Sequence, residues 1–166
     1  MGDTIDIRTI SASDAEAVAS IYNYFITETI ITFEEEPVSS SEIGLRIEKV
    51  RFDALPWLVA ERSGEIVGYA YAGRWKERSA YRFSTEVTVY VKPGLEGDGI
   101  GSSLFNRLLV ELRRSGSHVA IGVIALPNEA SIALHEKFGF TKAAHYEEAG
   151  FKFDRWIDVG CWQLIL

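Results

Sequence analysis

Residues 94–104 read GLEGDGIGSSL and place four glycines immediately before an amphipathic pattern. Apolar residues then recur every four positions from Ile100 to Leu112, which predicts a helix that ends near Gly116. Glycines at a helix start leave backbone N–H groups uncovered where the helix dipole is positive. The stretch therefore predicts a cradle for an anion such as a pyrophosphate.

A glycine-rich turn that only redirects the chain is the alternative, and it is the commoner outcome for an isolated glycine cluster. Two familiar phosphate-binding motifs do not fit this stretch. The Rossmann pattern GxGxxG would end at Leu104 instead of glycine, and a P-loop would need a Gly-Lys-Ser/Thr sequence that does not follow.

The length of 166 residues predicts one domain, over residues 1–166, and a composition with 47% apolar and 25% charged residues is typical of a globular protein. The net charge of -7 argues against a nucleic-acid or anionic-membrane partner. Cys161 is the single cysteine, so no internal disulfide forms and a reducing cytoplasm is expected. We find neither an export signal nor an apolar segment long enough to cross a bilayer.

The order of the expected elements predicts an α+β fold, with a mixed, mostly antiparallel sheet and about four helices. A strand near Ile5 and Ile7 precedes a helix, which we expect to be capped at residues 13–16 and to reach about Thr27. The other expected elements are a helix capped at residues 39–42, a hairpin over 57–60 and 66–71 with a turn at 63–64, a strand over 83–91, the helix after the glycines, a strand over 118–125, a helix over 128–138 and two closing strands.

The glycine stretch resembles the acyl-CoA-binding motif of the GNAT acetyltransferase superfamily, Q/R-x-x-G-x-G/A after a strand, with residues 96–101 in that frame. Glu96 stands where Gln or Arg is usual, and Asp98 stands where a basic residue is frequent. We expect both carboxylates to face solvent, away from the phosphates. The resemblance implies a GNAT fold and acetyl-CoA as co-substrate, and it implies cofactor contacts at Val89, Tyr90, Val91, Gly97, Asp98, Gly99, Ile100, Gly101 and Ser102.

A second stretch, NEASIALHEKFGF at residues 128–140, resembles the superfamily's motif in which an Asn-bearing helix start flanks the pantetheine arm. This resemblance implies cofactor contacts for Asn128 and Lys137. His135 stands where many members carry Tyr, so it is a candidate proton donor to the departing thiolate. A helix histidine is also often only a packing or surface group. No histidine pair has a ligand spacing, so we predict no metal.

Shorter runs across nearly the whole chain are similar to phosphinothricin N-acetyltransferases and their methionine sulfone and sulfoximine relatives; among them are YAG at 71–73, TVYV at 88–91, LPN at 126–128 and DVG at 158–160. The resemblance implies a small-molecule amine substrate and a homodimer. Glu34 stands where the phosphinothricin enzymes tend to have Arg, so methionine sulfone and sulfoximine are equal candidates as substrate.

Acetyl transfer to an amine needs a base, because an ammonium ion has no lone pair with which to attack. Alternation along the strand puts Glu86 on the same face as Thr88 and Tyr90. Glu86 also matches the position of the proposed catalytic Glu in phosphinothricin acetyltransferases. A solvated carboxylate is the alternative. We predict that Glu86 is the catalytic base and that partial burial raises its pKa toward the working pH.

Two further groups complete the predicted site. Backbone N–H groups around residues 89–91 are candidates to stabilise the oxyanion, if that strand separates from its neighbour. A basic segment over residues 74–82 is a candidate to bind the oxygens of an amino-acid analogue, although a solvated loop is the alternative. The predicted substrate-binding residues are Phe33, Arg74, Lys76, Arg78, Ser79, Ala80 and Tyr81.

Two other functions remain open at this point. A CoA-binding sensor would keep the glycine cradle without catalysis, but it has no need of a carboxylate such as Glu86. A GNAT enzyme that modifies a protein or an aminoacyl-tRNA is the other, and the acidic net charge weakens the tRNA version.

Overall fold

The computed structural model describes residues 4–166. Its strands are β1 (Asp6–Thr9), β2 (Trp57–Arg62), β3 (Glu65–Arg74), β4 (Ser84–Val91), β5 (Val119–Ala125), β6 (Thr141–Lys152) and β7 (Arg155–Ile165). Its α-helices are α1 (Ala15–Glu28), α2 (Ser40–Phe52), α3 (Ile100–Arg114) and α4 (Glu129–Lys137). The prediction of an α+β fold is confirmed.

The seven strands form one sheet in the order β1-β2-β3-β4-β5-β7-β6. Every neighbouring pair is antiparallel except β4 and β5, which are parallel. Parallel neighbours need a crossover, and α3 supplies it between these two strands. The mixed, mostly antiparallel sheet therefore agrees with the sequence prediction.

Helices cover the two faces of the sheet separately. On one face, Ile43 and Ile47 of α2 lie in a buried cluster with Trp57 and Tyr69 of the sheet. On the other face, the apolar stripe of α3 packs against the sheet around Val87. The four-residue spacing that predicted α3 is thus the spacing of its buried side.

The two predicted helix caps have different outcomes. Ser39 Oγ accepts a hydrogen bond from the Glu42 N–H at 3.1 Å, so the cap of α2 is confirmed. The cap expected at residues 13–16 is wrong, because the cap forms two residues earlier, where the Ser11 N–H donates to Asp14 Oδ2 at 2.8 Å. Arg8 of β1 also binds both Asp14 oxygens, at 2.8 and 2.9 Å, which orients this carboxylate toward the strand.

The strands β4 and β5 pair only at their starts. The register joins Ser84, Thr85 and Glu86 to residues 119–121, and the pairing stops beyond Glu86. The strands therefore separate toward the carboxyl end of β4, as the predicted oxyanion site requires. Within residues 4–166, no helix combines the length and apolar character that crossing a bilayer requires.

Candidate active site

Backbone groups of β4 face the space that opens beyond Glu86, which we call the β4–β5 gap. The Lys92 N–H donates to Val67 O of β3 at 2.8 Å, so its main chain points toward β3. Main-chain groups alternate in direction along a strand, so those of Val89 and Val91 point the other way, into the gap. Two predicted cofactor residues thus present N–H and C=O groups to any molecule that lies there.

A cavity of about 240 Å³ lies at the mouth of the β4–β5 gap. It brings together residues from α1, the loop that follows α1, the middle strands and the start of α4. Its lining includes Tyr22, Ile31, Thr32, Phe33, Tyr71, Glu86, Thr88, Val89, Tyr90, Val123, Asn128, Ser131 and His135. Six residues of the predicted site, from three separate stretches of sequence, therefore meet around one small cavity.

Glu86 is the charged group of this cavity. Its carboxyl is partly buried, and desolvation raises its pKa above the ordinary value of 4.5. The nearby ammonium of Lys76 opposes this shift and lowers the pKa. Burial therefore moves the carboxyl in the direction that a general base near neutral pH needs.

A second cavity, of about 450 Å³, follows the predicted cradle, and we call it the glycine groove. Gly97 and Gly99 have positive φ angles of 88° and 79°, which a residue with a Cβ rarely adopts. The ammonium of Lys137 donates to Ser102 Oγ at 3.1 Å across the groove. The lining comprises Val91, Leu95, Glu96, Gly97, Gly99, Ile100, Gly101, Ser102, Ala130, Ala133, Leu134 and Lys137.

The two unusual carboxylates of the motif are engaged with the protein. Asp98 Oδ2 accepts hydrogen bonds from both terminal nitrogens of Arg62, each at 3.0 Å. Glu96 Oε2 accepts from the Gly94 N–H at 2.9 Å. Both residues are exposed, as predicted. Glu96 nevertheless lines the glycine groove, so its orientation away from the phosphates stays a prediction. The Arg62 cation offsets the negative charge that Asp98 brings to the groove.

His135 is buried, with a relative exposure of 4%, and its ring packs against Phe105 and Phe140. Its Nδ1 lies 2.7 Å from the Ser131 carbonyl oxygen, so in the neutral ring Nδ1–H is the donor. Nε2 is then an acceptor, and it is buried without a hydrogen-bond partner beside Gly122. Burial also lowers the pKa of the imidazole.

The predicted substrate residues do not all reach the cavity. Phe33 lines it. Arg74 is paired with Thr85 in the sheet, so it points to the face opposite Glu86, where its guanidinium bonds Asp53 Oδ1 at 2.7 Å. Lys76 lies outside the lining, although its charge acts on Glu86.

The remaining predicted substrate residues belong to the exposed connector between β3 and β4. Arg78 precedes a 3₁₀ turn over Ser79–Tyr81, and Ala80 is its middle residue. None of these four residues lines the 240 Å³ cavity. The clustering of cations in sequence therefore does not translate into a cationic cavity wall.

Sequence reasoning missed the polar side chains that α1 and the following loop contribute. Tyr22 OH lies 2.7 Å from Thr32 Oγ1 and also donates to the Glu34 carboxylate. Arg46 of α2 holds Glu34 through bonds of 2.6 and 2.9 Å. Tyr22 reads in the sequence as one more residue of the buried helical stripe, so no local signal marks it.

Metal ligands are not clustered in the part of the chain that the structure describes. Over residues 4–166, no group of three or more His, Cys, Asp and Glu side chains has a geometry that could hold a metal ion.

Comparison with known proteins identifies the class as an N-acetyltransferase. A family model described as the acetyltransferase (GNAT) domain matches residues 7–160. The chain belongs to the GNAT acetyltransferase family, and the predictions of that family and of an enzyme are confirmed.

Named relatives resemble the chain over most of its length. A phosphinothricin N-acetyltransferase of Streptomyces viridochromogenes is 40% identical, with 96% of this chain and 86% of the relative covered. An L-methionine sulfoximine/L-methionine sulfone acetyltransferase of Salmonella typhimurium is 36% identical, with 96% and 94% covered. The solved structure of a GNAT superfamily phosphinothricin acetyltransferase from Sinorhizobium meliloti in complex with acetyl-CoA has a TM-score of 0.95 and 34% identity, with 98% and 89% covered.

Proposed function

We propose that this enzyme transfers the acetyl group of acetyl-CoA to the amino group of a small amino-acid analogue, with Glu86 as general base. The observation that carries the proposal is the desolvated Glu86 carboxyl in a cavity at the mouth of the β4–β5 gap. The acetyl-CoA complex of the Sinorhizobium meliloti relative supports the choice of co-substrate.

Acetyl-CoA would occupy the glycine groove and the β4–β5 gap together. Backbone N–H groups of residues 97–102, at the positive end of α3, suit the diphosphate, and Lys137 adds a cation beside them. The pantetheine arm would run along Val89 and Val91, whose amide and carbonyl groups match those of the arm. Asn128 borders the same path; its Oδ1 caps α4 by accepting from the Ser131 N–H at 3.1 Å, which leaves its amide N–H₂ free to donate.

The chemistry is direct attack. Glu86 takes a proton from the substrate ammonium, directly or through a water molecule, and the freed nitrogen lone pair forms the N–C bond with the thioester carbon. An N–H group of the gap, such as that of Val89, donates to the oxyanion. Collapse of the tetrahedral intermediate breaks the C–S bond and releases CoA as its thiolate, and the nitrogen gives its second proton to this thiolate or to water, which leaves a neutral amide.

Protonation of that thiolate by His135 stays a prediction. Its neutral ring uses the Nδ1 proton for the Ser131 carbonyl and offers Nε2 as an acceptor. A donor role would therefore need a second proton on the ring, and burial opposes this protonation because it lowers the pKa.

The charges around the cavity favour a substrate with a neutral side chain. Among the described residues that line it, Glu86 is the one acid and there is no lysine or arginine, whereas Tyr22, Thr32 and Thr88 offer hydroxyl groups. These groups suit sulfone or sulfoximine oxygens, whereas a phosphinate would bring a second negative charge without a cation in the lining. We propose that Lys76 attracts the substrate carboxylate. Because the lining offers no cation for a phosphinate, we expect a higher kcat/KM for methionine sulfone and sulfoximine than for phosphinothricin.

Steady-state assays test this proposal. The purified enzyme with acetyl-CoA is offered methionine sulfone, methionine sulfoximine, phosphinothricin or a peptide with a free amino terminus, and CoA release is measured. We expect kcat/KM to be highest for the two methionine derivatives. Acetyl-CoA binding without CoA release for any amine would instead favour a sensor, and a preference for the peptide would favour a protein-modifying enzyme.

We also propose that residues 1–166 form a single domain and that the protein is a homodimer in the cytoplasm. The continuous sheet from β1 to β6 supports a single domain, and the lone cysteine supports a reducing compartment. Exposed aromatic rings on the β6–β7 hairpin, among them Phe151 and Trp156 with centroids 4.8 Å apart, suit an interface between two copies. Light scattering after gel filtration would give twice the chain mass; a monomer would refute it.

A further inference from the structure

The β6–β7 hairpin contacts residues 30–36, the loop that forms one side of the 240 Å³ cavity around Glu86. Phe33 of this loop lines the cavity, and 41% of its surface is exposed. The ring also lies directly against the backbone of Gly150 in β6. A Cβ atom on Gly150 would come closer than 3.0 Å to two carbons of the ring, so a larger residue cannot occupy this position unless Phe33 moves.

Two residues further along β6, Lys152 makes a second contact with the same loop. Its side chain is almost fully buried, with a relative exposure of 2%, and Nζ donates to the Thr32 carbonyl oxygen at 2.8 Å. A buried ammonium is costly unless it has partners. The carboxylates of Glu34 and Glu35 partly offset this cost, because their charges favour the protonated amine.

The helices hold the loop from its other side. Thr32 Oγ1 pairs with Tyr22 OH of α1, and the Glu34 carboxylate binds Arg46 of α2. Phe33 lies between Thr32 and Glu34 in the sequence, and its apolar ring makes no hydrogen bond. The position of the ring is therefore set by the β6–β7 hairpin on one side and by the anchored residues Thr32 and Glu34.

We propose that Gly150 and Lys152 are positioning residues, which hold Phe33 against the cavity and so set the affinity for the amine substrate. Neither residue belongs to the lining of the cavity or of the glycine groove. The identity of the ligand as an amine rests on the function proposed above, whereas the mechanical link between hairpin and loop does not.

The first test is a double-mutant cycle between Gly150 and Phe33. Gly150→Ala should raise the KM for methionine sulfone about tenfold, with kcat and the KM for acetyl-CoA within about twofold of the parent. In a Phe33→Ala background the same substitution should have no further effect, because the ring that it displaces is gone. Gly44→Ala, on α2 with open space around its Cα, is the matched control. Equal effects of Gly150→Ala in both backgrounds would overturn the proposal.

The second test does not depend on activity. Amide hydrogen exchange of residues 30–36 is compared in the parent, Gly150→Ala and Lys152→Met, while calorimetry measures acetyl-CoA binding. We expect faster exchange in this segment for both variants, with the acetyl-CoA Kd unchanged. Parent-like exchange in both would overturn the proposal, even if an amine is acetylated. If no amine is acetylated, the proposed function is wrong, and hydrogen exchange alone then shows whether the β6–β7 hairpin holds residues 30–36 in place. If Lys152→Met does not fold, Gly150→Ala decides.

Discussion

Lys137 Nζ donates to Ser102 Oγ at 3.1 Å and thereby ties the last turn of α4 to the first turn of α3. These two residues come from the two separate stretches of sequence that resemble GNAT cofactor motifs. Their contact spans the glycine groove. Lys137, the charged residue that α4 contributes to the groove lining, therefore lies beside the amides proposed to bind the diphosphate.

Replacing Lys137 with Met should weaken acetyl-CoA binding about tenfold, because one charge-assisted contact to a phosphate is lost. Calorimetry measures the Kd, and Lys92→Met, which removes another exposed lysine, is the control. The difference between the two variants should shrink at high salt. Equal affinities of Lys137→Met and the parent at low salt would contradict the assignment.

Replacing Asp98 with Asn should have the opposite effect. The substitution removes a negative charge from the edge of the groove and weakens the two bonds of 3.0 Å from Arg62, because an amide oxygen is a weaker acceptor than a carboxylate. We expect acetyl-CoA to bind about threefold more tightly, the size of effect typical of one exposed charge. Weaker binding would mean that the Arg62–Asp98 pair shapes the loop for the cofactor.

Replacing Glu86 with Gln should lower kcat by about 10²- to 10⁴-fold, because the neutral amide cannot accept the amine proton. The acetyl-CoA Kd should stay the same, since Glu86 faces the cavity and not the glycine groove. Pre-steady-state acetyl transfer and calorimetry give the two quantities. A parent-like rate would remove Glu86 from the mechanism.

The dependence of kcat/KM on pH reports the pKa of Glu86 in the free enzyme. The base acts in its deprotonated form, so the rate falls as the pH drops through this pKa. Burial raises the pKa and the Lys76 cation lowers it. The acid limb should therefore lie above pH 4.5, and Lys76→Met should move it to still higher pH. A limb that moves down in Lys76→Met would contradict this electrostatic picture, and Lys92→Met should leave it in place.

Replacing His135 with Gln should lower kcat by less than about tenfold, because the N–H of the neutral ring is occupied by the Ser131 carbonyl and Nε2 is buried beside Gly122 without a proton to give. Single-turnover rates with saturating acetyl-CoA measure the effect. A loss greater than a hundredfold, with normal acetyl-CoA binding, would establish His135 as the proton donor to the thiolate.

The sequence predicts those parts of the site that depend on local pattern. Glycines before a helix give the groove around Gly97 and Gly99, and strand alternation puts Glu86 on the correct face. The separation of β4 from β5 was a condition that sequence could not decide, because it depends on where pairing between distant strands stops.

Other parts could not be predicted because long-range contacts decide them. Arg74 pairs with Thr85, the neighbour of Glu86, so its side chain lies on the opposite face of the sheet, where it binds Asp53. Its closeness to Glu86 along the predicted strands therefore led to a wrong expectation of substrate contact. The contact between Lys152 and the Thr32 carbonyl joins residues 120 positions apart. A lysine near the end of a strand carries no local sign of such burial.

A crystal structure of the enzyme with acetyl-CoA would show directly where the cofactor binds. We expect the diphosphate to lie against the amides of residues 97–102, beside Lys137. We also expect the thioester to lie in the β4–β5 gap, next to Val89 and within reach of Glu86. A diphosphate bound outside the glycine groove, or an acetyl group that points away from the Glu86 cavity, would contradict the proposed function.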